Sequence, residues 1–312
     1  MYMKKTIIAL IVLVLVGGIG AYLWSKRASN TVVAVNPPTP VVTPTTTAPE
    51  EVAPVKATPT TTPVNKTETV IGKSVEGNSI TAYHYGSGAK EVLFVGGIHG
   101  GYEWNTVLVA YELMDYLKAN PKVVPVGVKV TVIPVLNPDG LNKTVGTTGR
   151  FTKADVPTPI EKTTPGRYNA NKVDLNRNFD CNWKTMGLWN KVPVSGGASA
   201  FSEPESKVFK SYIETSKPSA VVAWFSAAGG VYSSSCSGAV SPVTAELTKA
   251  YADASGYPAY KEYDYYEISG DVANWLAKVN VPAISVLLTT HDDTEWSKNE
   301  AGVKALLAHV AK

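Results

Sequence analysis

The chain has 312 residues, with 29 Lys or Arg against 26 Asp or Glu and 44% apolar residues. That length holds one large domain or two small ones, and the apolar share is enough for a real core. Lys4, Lys5, Lys26 and Arg27 lie in a first segment that has no acid; the remainder carries 25 basic against 26 acidic residues. That balance excludes the clustered basic surface of a nucleic-acid-binding protein.

In chain order, Ile7 to Trp24 comes first, an unbroken run of 18 apolar or glycine residues behind Lys4-Lys5. As a helix it would span roughly 27 Å, close to the ~30 Å hydrocarbon core of a bilayer. A cleaved signal peptide has a shorter apolar stretch, about 7–15 residues, and ends in a small-x-small site that is missing here. Residues 1–30 are expected to be a transmembrane helix, with a signal peptide as the alternative. A short tail ahead of a large domain puts that domain outside the cytoplasm. Residues 31–67 form a second zone, half Pro or Thr between Thr31 and Lys66. Proline removes backbone donors and few large apolar groups are present, so this zone reads as a disordered, semi-rigid stalk.

Residues 68–312 read as one folded domain. Val70–Val75 and Ser79–Tyr85 flank Glu76-Gly77-Asn78, a hairpin signature. Glu91–Val95 is a short apolar run ending in two glycines, a buried strand. Trp104–Ala119 has helical spacing and Pro121 stops it. Val126–Val135 is a strand followed by Asn137-Pro138-Asp139-Gly140, a turn. Glu203–Thr215 is a helix, Ala220–Phe225 a strand, Val243–Ser255 a helix, Ala283–Leu288 a strand and Lys298–Ala311 a closing helix. Apolar strands alternating with amphipathic helices predict an α/β fold, a mixed and mostly parallel sheet with helices on both faces. Ligands of such sheets sit beyond the carboxyl ends of the strands, where every candidate motif falls.

His99 follows a buried strand in a glycine-rich turn, and Glu103 opens the next helix. Imidazole nitrogen and carboxylate oxygen both suit zinc, and this separation can bring both to one face of a forming helical turn. Taken alone, the pair reads first as a loop histidine and a first-turn acid favourable to the helix dipole. Asn176 and Arg177 lie in Asp174-Leu175-Asn176-Arg177-Asn178-Phe179. A planar guanidinium binds a carboxylate through two hydrogen bonds and keeps its charge. A structural salt bridge is the other reading of Arg177.

Gly96-Gly97-Ile98-His99-Gly100-Gly101-Tyr102-Glu103, Asn137-Pro138-Asp139-Gly140 and Asp174–Phe179 together resemble the zinc carboxypeptidase family. The resemblance implies zinc held by His99 and Glu103, although one extra residue separates the two here. It implies that Asn176 and Arg177 grip the free carboxylate at a peptide's C-terminus. Arg150 would match the family's oxyanion-stabilising arginine, and Tyr266 the mobile tyrosine that caps bound substrate. Ala273 would lie near the floor of the specificity pocket, with Asp271 close by. Two positions depart from the family pattern. Phe225 stands where the third zinc ligand, a histidine, is expected, and a phenyl ring offers zinc nothing. Leu287 stands at the general base, in Ser285-Val286-Leu287-Leu288-Thr289-Thr290-His291, and leucine moves no proton. His291 lies close past the same strand, with Asp292, Asp293 and Glu295 behind it. The family pattern has a histidine there as well, so it is not expected to be a new ligand. Only surviving hydrolysis would point to His291 and Glu295 as replacement ligand and base.

Cys181 and Cys236 are either inert core thiols or, outside a membrane, a disulfide. Each follows a candidate site segment, so a bridge would pin the cleft walls together. The expected protein binds peptides, or cell-wall stem peptides, by a free C-terminal carboxylate, with weak or absent zinc. A working metallocarboxypeptidase with a rebuilt site is the alternative.

Overall fold

The computed structural model describes residues 67–312, and the expected membrane helix and the stalk up to Lys66 lie outside the described residues. Among the described residues no helix is long and apolar enough to cross a membrane. One sheet of eight strands organises the domain. Its strands are β1 (Glu68–Lys73), β2 (Ser79–Gly86), β3 (Lys90–Val95), β4 (Val128–Ile133), β7 (Ala220–Ser226), β8 (Gly230–Ser233), β9 (Ala259–Tyr260) and β10 (Ala283–Leu288), in the order β1-β2-β4-β3-β7-β10-β8-β9. Neighbours β4-β3, β3-β7, β7-β10 and β8-β9 are parallel, whereas β1-β2, β2-β4 and β10-β8 are antiparallel. The small hairpin of β5 (Met186–Trp189) and β6 (Val192–Ser195) stands apart from it.

The helices are α1 (Trp104–Ala119), α2 (Pro138–Val145), α3 (Pro204–Ser216), α4 (Pro242–Ser255), α5 (Val272–Lys278) and α6 (Trp296–Ala311). Alternation along the central strands sorts them into two layers. Val222 and Trp224 of β7 join one apolar cluster with α1, α4 and α6, through residues such as Val107, Leu247 and Leu306. Val221, Ala223 and Phe225 point the other way, into a cluster with Phe209 of α3 and Trp275 of α5. The sheet is thus covered on both faces, as the strand and helix pattern predicts.

Boundaries match closely where periodicity is strong; α1 runs over the expected residues Trp104 to Ala119. Asn137-Pro138-Asp139-Gly140 is not a free turn but the start of α2. Asn137 Oδ1 caps it by accepting from Gly140 N at 2.9 Å, with proline in the first turn. Asp139 of the same turn accepts from Asn78 Nδ2 at 2.7 Å and from the Ser74 hydroxyl, tying α2 to the β1–β2 hairpin. The hairpin β5–β6, strands β8 and β9, and helix α5 escape sequence reading because each is short and lacks a clear period.

A candidate ligand-binding cleft

The site begins where β3 ends. A Cβ on Gly96 would come within 2.6 Å of Thr106 O and 2.9 Å of Pro134 O, so only glycine lets α1 and the end of β4 close on this turn. That closeness holds His99 and Glu103 side by side, both buried, with Nδ1 2.9 Å from Oε1. Glu103 is the N-cap residue of α1, yet its carboxylate makes no capping bond. Its Oε2 is buried without a hydrogen-bond partner among the described residues. On its other side, His99 Nε2 lies 3.2 Å from Asp174 Oδ1.

Arg167 completes this cluster, and sequence reading missed it. Its Nε and Nη2 donate to Asp174 Oδ2 at 3.0 and 2.8 Å. Its Nη1 lies 3.3 Å from His99 Nδ1 and 3.8 Å from Glu103 Oε1. The guanidinium lies 4.5 Å from the ring centre of Trp189 and 5.5 Å from that of Tyr102, two rings packed edge to face 5.1 Å apart. Burial works against the charge on His99 and Arg167 adds to that, but Glu103 and Asp174 outweigh both, so its pKa is raised. Burial opposes the charge on Asp174 as well; Arg167 and His99 overcome it and hold this carboxyl far below the usual range. The only signal that could have found Arg167 is its place shortly before Asp174 in a loop without periodicity.

Asn176 and Arg177 leave Asp174 on a short helical turn, Leu175–Arg177, that Asp174 caps by accepting from Asn176 N at 3.0 Å. Both face the same cavity as His99. Asn176 is partly committed to the fold: Nδ2 donates to Asp271 Oδ2 at 2.8 Å and Oδ1 accepts from Val272 N at 2.9 Å. Arg177 donates from Nε and Nη2 to Leu188 O at 3.0 and 2.7 Å and from Nη1 to Asn176 O at 2.7 Å. These are carbonyls; no carboxylate pairs with this guanidinium among the described residues, although Arg177 is 1% exposed. Tyr266 lies over it, 5.9 Å from ring centre to Cζ. Ala273 is buried on α5 and lines the same cavity, and Asp271 caps that helix by accepting from Asn274 N at 2.8 Å.

Phe225 and Leu287 are direct partners on parallel strands β7 and β10. Both are nearly buried and line the cavity, and the Phe225 ring stands 5.4 Å from that of His99. Arg150 does not reach the cleft, which corrects its expected placement. It pairs through two bonds with Asp115, at 2.8 and 2.7 Å, and covers Tyr111 in a separate groove. The arginine beside His99 is instead Arg167. Glu295 also turns away from the cleft, accepting from Thr289 N at 2.6 Å and Tyr257 OH at 2.8 Å. His291 does line the cleft, against Tyr102.

The cavity enclosed by these groups measures about 600 Å³, within the range of small-molecule and short-peptide sites. The two donors that the family pattern keeps here fall one short of a catalytic zinc site. Such a site takes three protein ligands and an open position. His99 and Glu103 supply two, Phe225 and Leu287 carry no lone pair, and Arg167 brings a positive charge against the pair. Among the described residues no group of three His, Cys, Asp or Glu is placed to hold a metal ion.

Comparison with known proteins returns the zinc carboxypeptidase family, whose model matches residues 56–305. Carboxypeptidase Z of Rattus norvegicus is 30% identical over 122 residues, 35% of this chain and 17% of that protein. A zinc carboxypeptidase of Simulium vittatum is 29% identical over 154 residues, 47% of this chain and 48% of the relative. The chain thus spans less than half the length of these curated relatives. Carboxypeptidase A from Helicoverpa armigera shares the fold with a TM-score of 0.60 at 20% identity, over 78% of this chain and 68% of that one. Murein-tripeptide amidase MpaA from Escherichia coli O157 does so with a TM-score of 0.54 at 22% identity, over 79% of this chain and 92% of that one.

Proposed function

Because the chain belongs to the zinc carboxypeptidase family, we propose that it captures peptides by their C-terminal carboxylate in the Arg177 cleft and hydrolyses them poorly or not at all. One observation carries the reading: Arg177 is a buried guanidinium that faces the cavity and has only carbonyl partners. A buried charge without a counter-ion is costly, and a ligand carboxylate supplies that counter-ion through hydrogen bonds. Zinc is the metal the family expects, and Phe225 and Leu287 at the cleft wall support its being weakly held or missing. Without a base at Leu287, no side chain there takes a proton from water.

Cell-wall stem peptides end in a free carboxylate and fall within the same ligand class. An extracytoplasmic domain, tethered to a membrane by residues 1–30 and the stalk, is part of the proposal. The Cys181–Cys236 bridge supports it, since disulfides persist in oxidising compartments. The partnerless Glu103 Oε2 favours a second reading, a working metallocarboxypeptidase, because a bound cation would satisfy that oxygen.

Calorimetry with an N-blocked dipeptide, its C-terminal amide as control, tests the first reading. Binding of the acid and not the amide is expected, and Arg177→Ala should weaken it by about 2–5 kcal/mol. Equal affinity for acid and amide would remove the carboxylate reading, while stoichiometric zinc with clear dipeptide turnover would establish the second one.

A further inference from the structure

His291 lies just past β10, and carboxylate capture leaves it without a task. Its Nδ1 stands 3.1 Å from Ser226 Oγ, and that hydroxyl stands 2.9 Å from Asn105 Oδ1. The direction of this relay is set at its far end. Asn105 Nδ2 donates to Thr290 O at 2.7 Å and to Asp293 O at 2.9 Å, so Oδ1 is the atom turned toward Ser226. The single hydroxyl proton of Ser226 then goes to Asn105, and the hydroxyl oxygen accepts from Nδ1–H of His291. Asn105 is fully buried and Ser226 nearly so, which keeps water from competing.

The other ring nitrogen, Nε2, has no protein partner among the described residues, and His291 lines the cavity. Tyr102 steadies the ring, with 4.8 Å between centres. Burial lowers the pKa of this imidazole, so the neutral ring with a bare Nε2 is favoured. A histidine whose second nitrogen is fixed by a hydrogen bond has its free lone pair aimed in advance.

We propose that Ser226 and Asn105 lock His291 as the Nδ1–H tautomer, and that its Nε2 accepts a hydrogen bond from an amide N–H of the bound peptide. The inference rests on the carboxylate reading. Arg167 and Arg177 can only donate, so they read the oxygens of a ligand. Nε2 reads an N–H, and a cleft with both kinds of contact tells a peptide from the corresponding ester.

Two measurements test this. Long-range nitrogen–proton correlation spectra of isotope-labelled, ligand-free protein report the tautomer directly. Protonated Nδ1 with bare Nε2 is expected, and protonated Nε2 overturns the inference. Calorimetry then compares an N-blocked dipeptide bearing a free carboxylate with its depsipeptide, in which an ester oxygen replaces the N–H. The unmodified protein should prefer the peptide about three- to tenfold, the size of one net hydrogen bond. His291→Phe, which keeps a ring against Tyr102, should lose that preference and still bind both. An equal preference in both proteins overturns the His291 contact while carboxylate capture stands. Failure of the unmodified protein to bind either probe overturns carboxylate capture itself, and the contact with it.

Discussion

At the scale of single residues, the electrostatics of the cleft turn on Arg167. Among the described residues it is the only group that touches His99 and Asp174 while approaching Glu103, and it does so from a position 2% exposed. Removing one member of such a buried set leaves the others uncompensated, which typically costs about 3–5 kcal/mol. Phe225 and Leu287 are the opposite kind of residue, apolar groups against a charged cluster. If they are what denies the site a metal, returning donors at both places should reverse it. Phe225→His with Leu287→Glu is expected to retain zinc through dialysis, read by elemental analysis, where the unmodified domain loses it. Equal retention by both proteins would mean that His99 and Glu103 find their third ligand elsewhere. The places of His99 and Glu103 in the cleft were legible because they sit between a strong strand signal and a strong helix signal, and those of Asn176 and Arg177 because of the Asp174–Phe179 motif alone. Arg167 was not, and Arg150 was mistaken for it, because both lie in the long connection after α2, where nothing periodic fixes which arginine folds inward.

At the scale of elements, long apolar runs were read with boundaries off by a residue or two, since burial on a sheet face leaves a period of two. Short pieces whose place depends on distant partners were not. Helix α5 is capped locally by Asp271, and Asn176 fixes both that cap and the first turn through contacts made across 95 and 96 residues of sequence. The junction of β10 with α6 is a further case. Glu295 accepts from Thr289 N at 2.6 Å, Thr289 Oγ1 at 2.8 Å and Tyr257 OH at 2.8 Å, and pairs with Lys298 at 2.8 Å. Burial alone would raise its pKa, but the bonds from Lys298, Thr289 and Tyr257 prevail and bring it from 4.5 down to about 2. A carboxyl depressed in the folded state stabilises the fold above its unfolded value. That contribution fades as pH falls through the folded value. Glu295→Gln should therefore lower stability at neutral pH by about 1–2 kcal/mol, after allowance for solvent screening. The gap between the two proteins, measured as the urea midpoint, should close between about pH 4.5 and pH 2. A gap that stays constant over that range would show that Glu295 acts through packing and not through its charge.

Across the whole domain, the cleft is assembled from segments far apart in sequence, and one covalent link joins two of them. Cys181 follows the Asn176-Arg177 turn, Cys236 follows β8, and their Cα atoms lie 5.6 Å apart across a separation of 55 residues. This is well inside the ~7 Å limit for a bridge. Closing a loop of that length removes unfolded-state entropy worth about 4 kcal/mol in the chain-entropy account, with measured values typically about 2–4. Cys236 also lines the cavity, so the bridge holds a wall of the ligand site as well as the fold. Cys181→Ser with Cys236→Ser, or reduction of the unmodified protein, should lower the urea midpoint by an amount equivalent to about 2–4 kcal/mol. Affinity for a C-terminal carboxylate should fall in the same samples at urea concentrations where the fold is still intact, because the Cys236 wall is freed first. An unchanged midpoint would mean that the bridge adds nothing to stability. An unchanged affinity in the folded reduced protein would mean that the wall keeps its place by hydrogen bonds alone, of which Asn182 Nδ2 to Cys236 O at 3.2 Å and Ser235 N to Asn274 Oδ1 at 3.1 Å are the candidates.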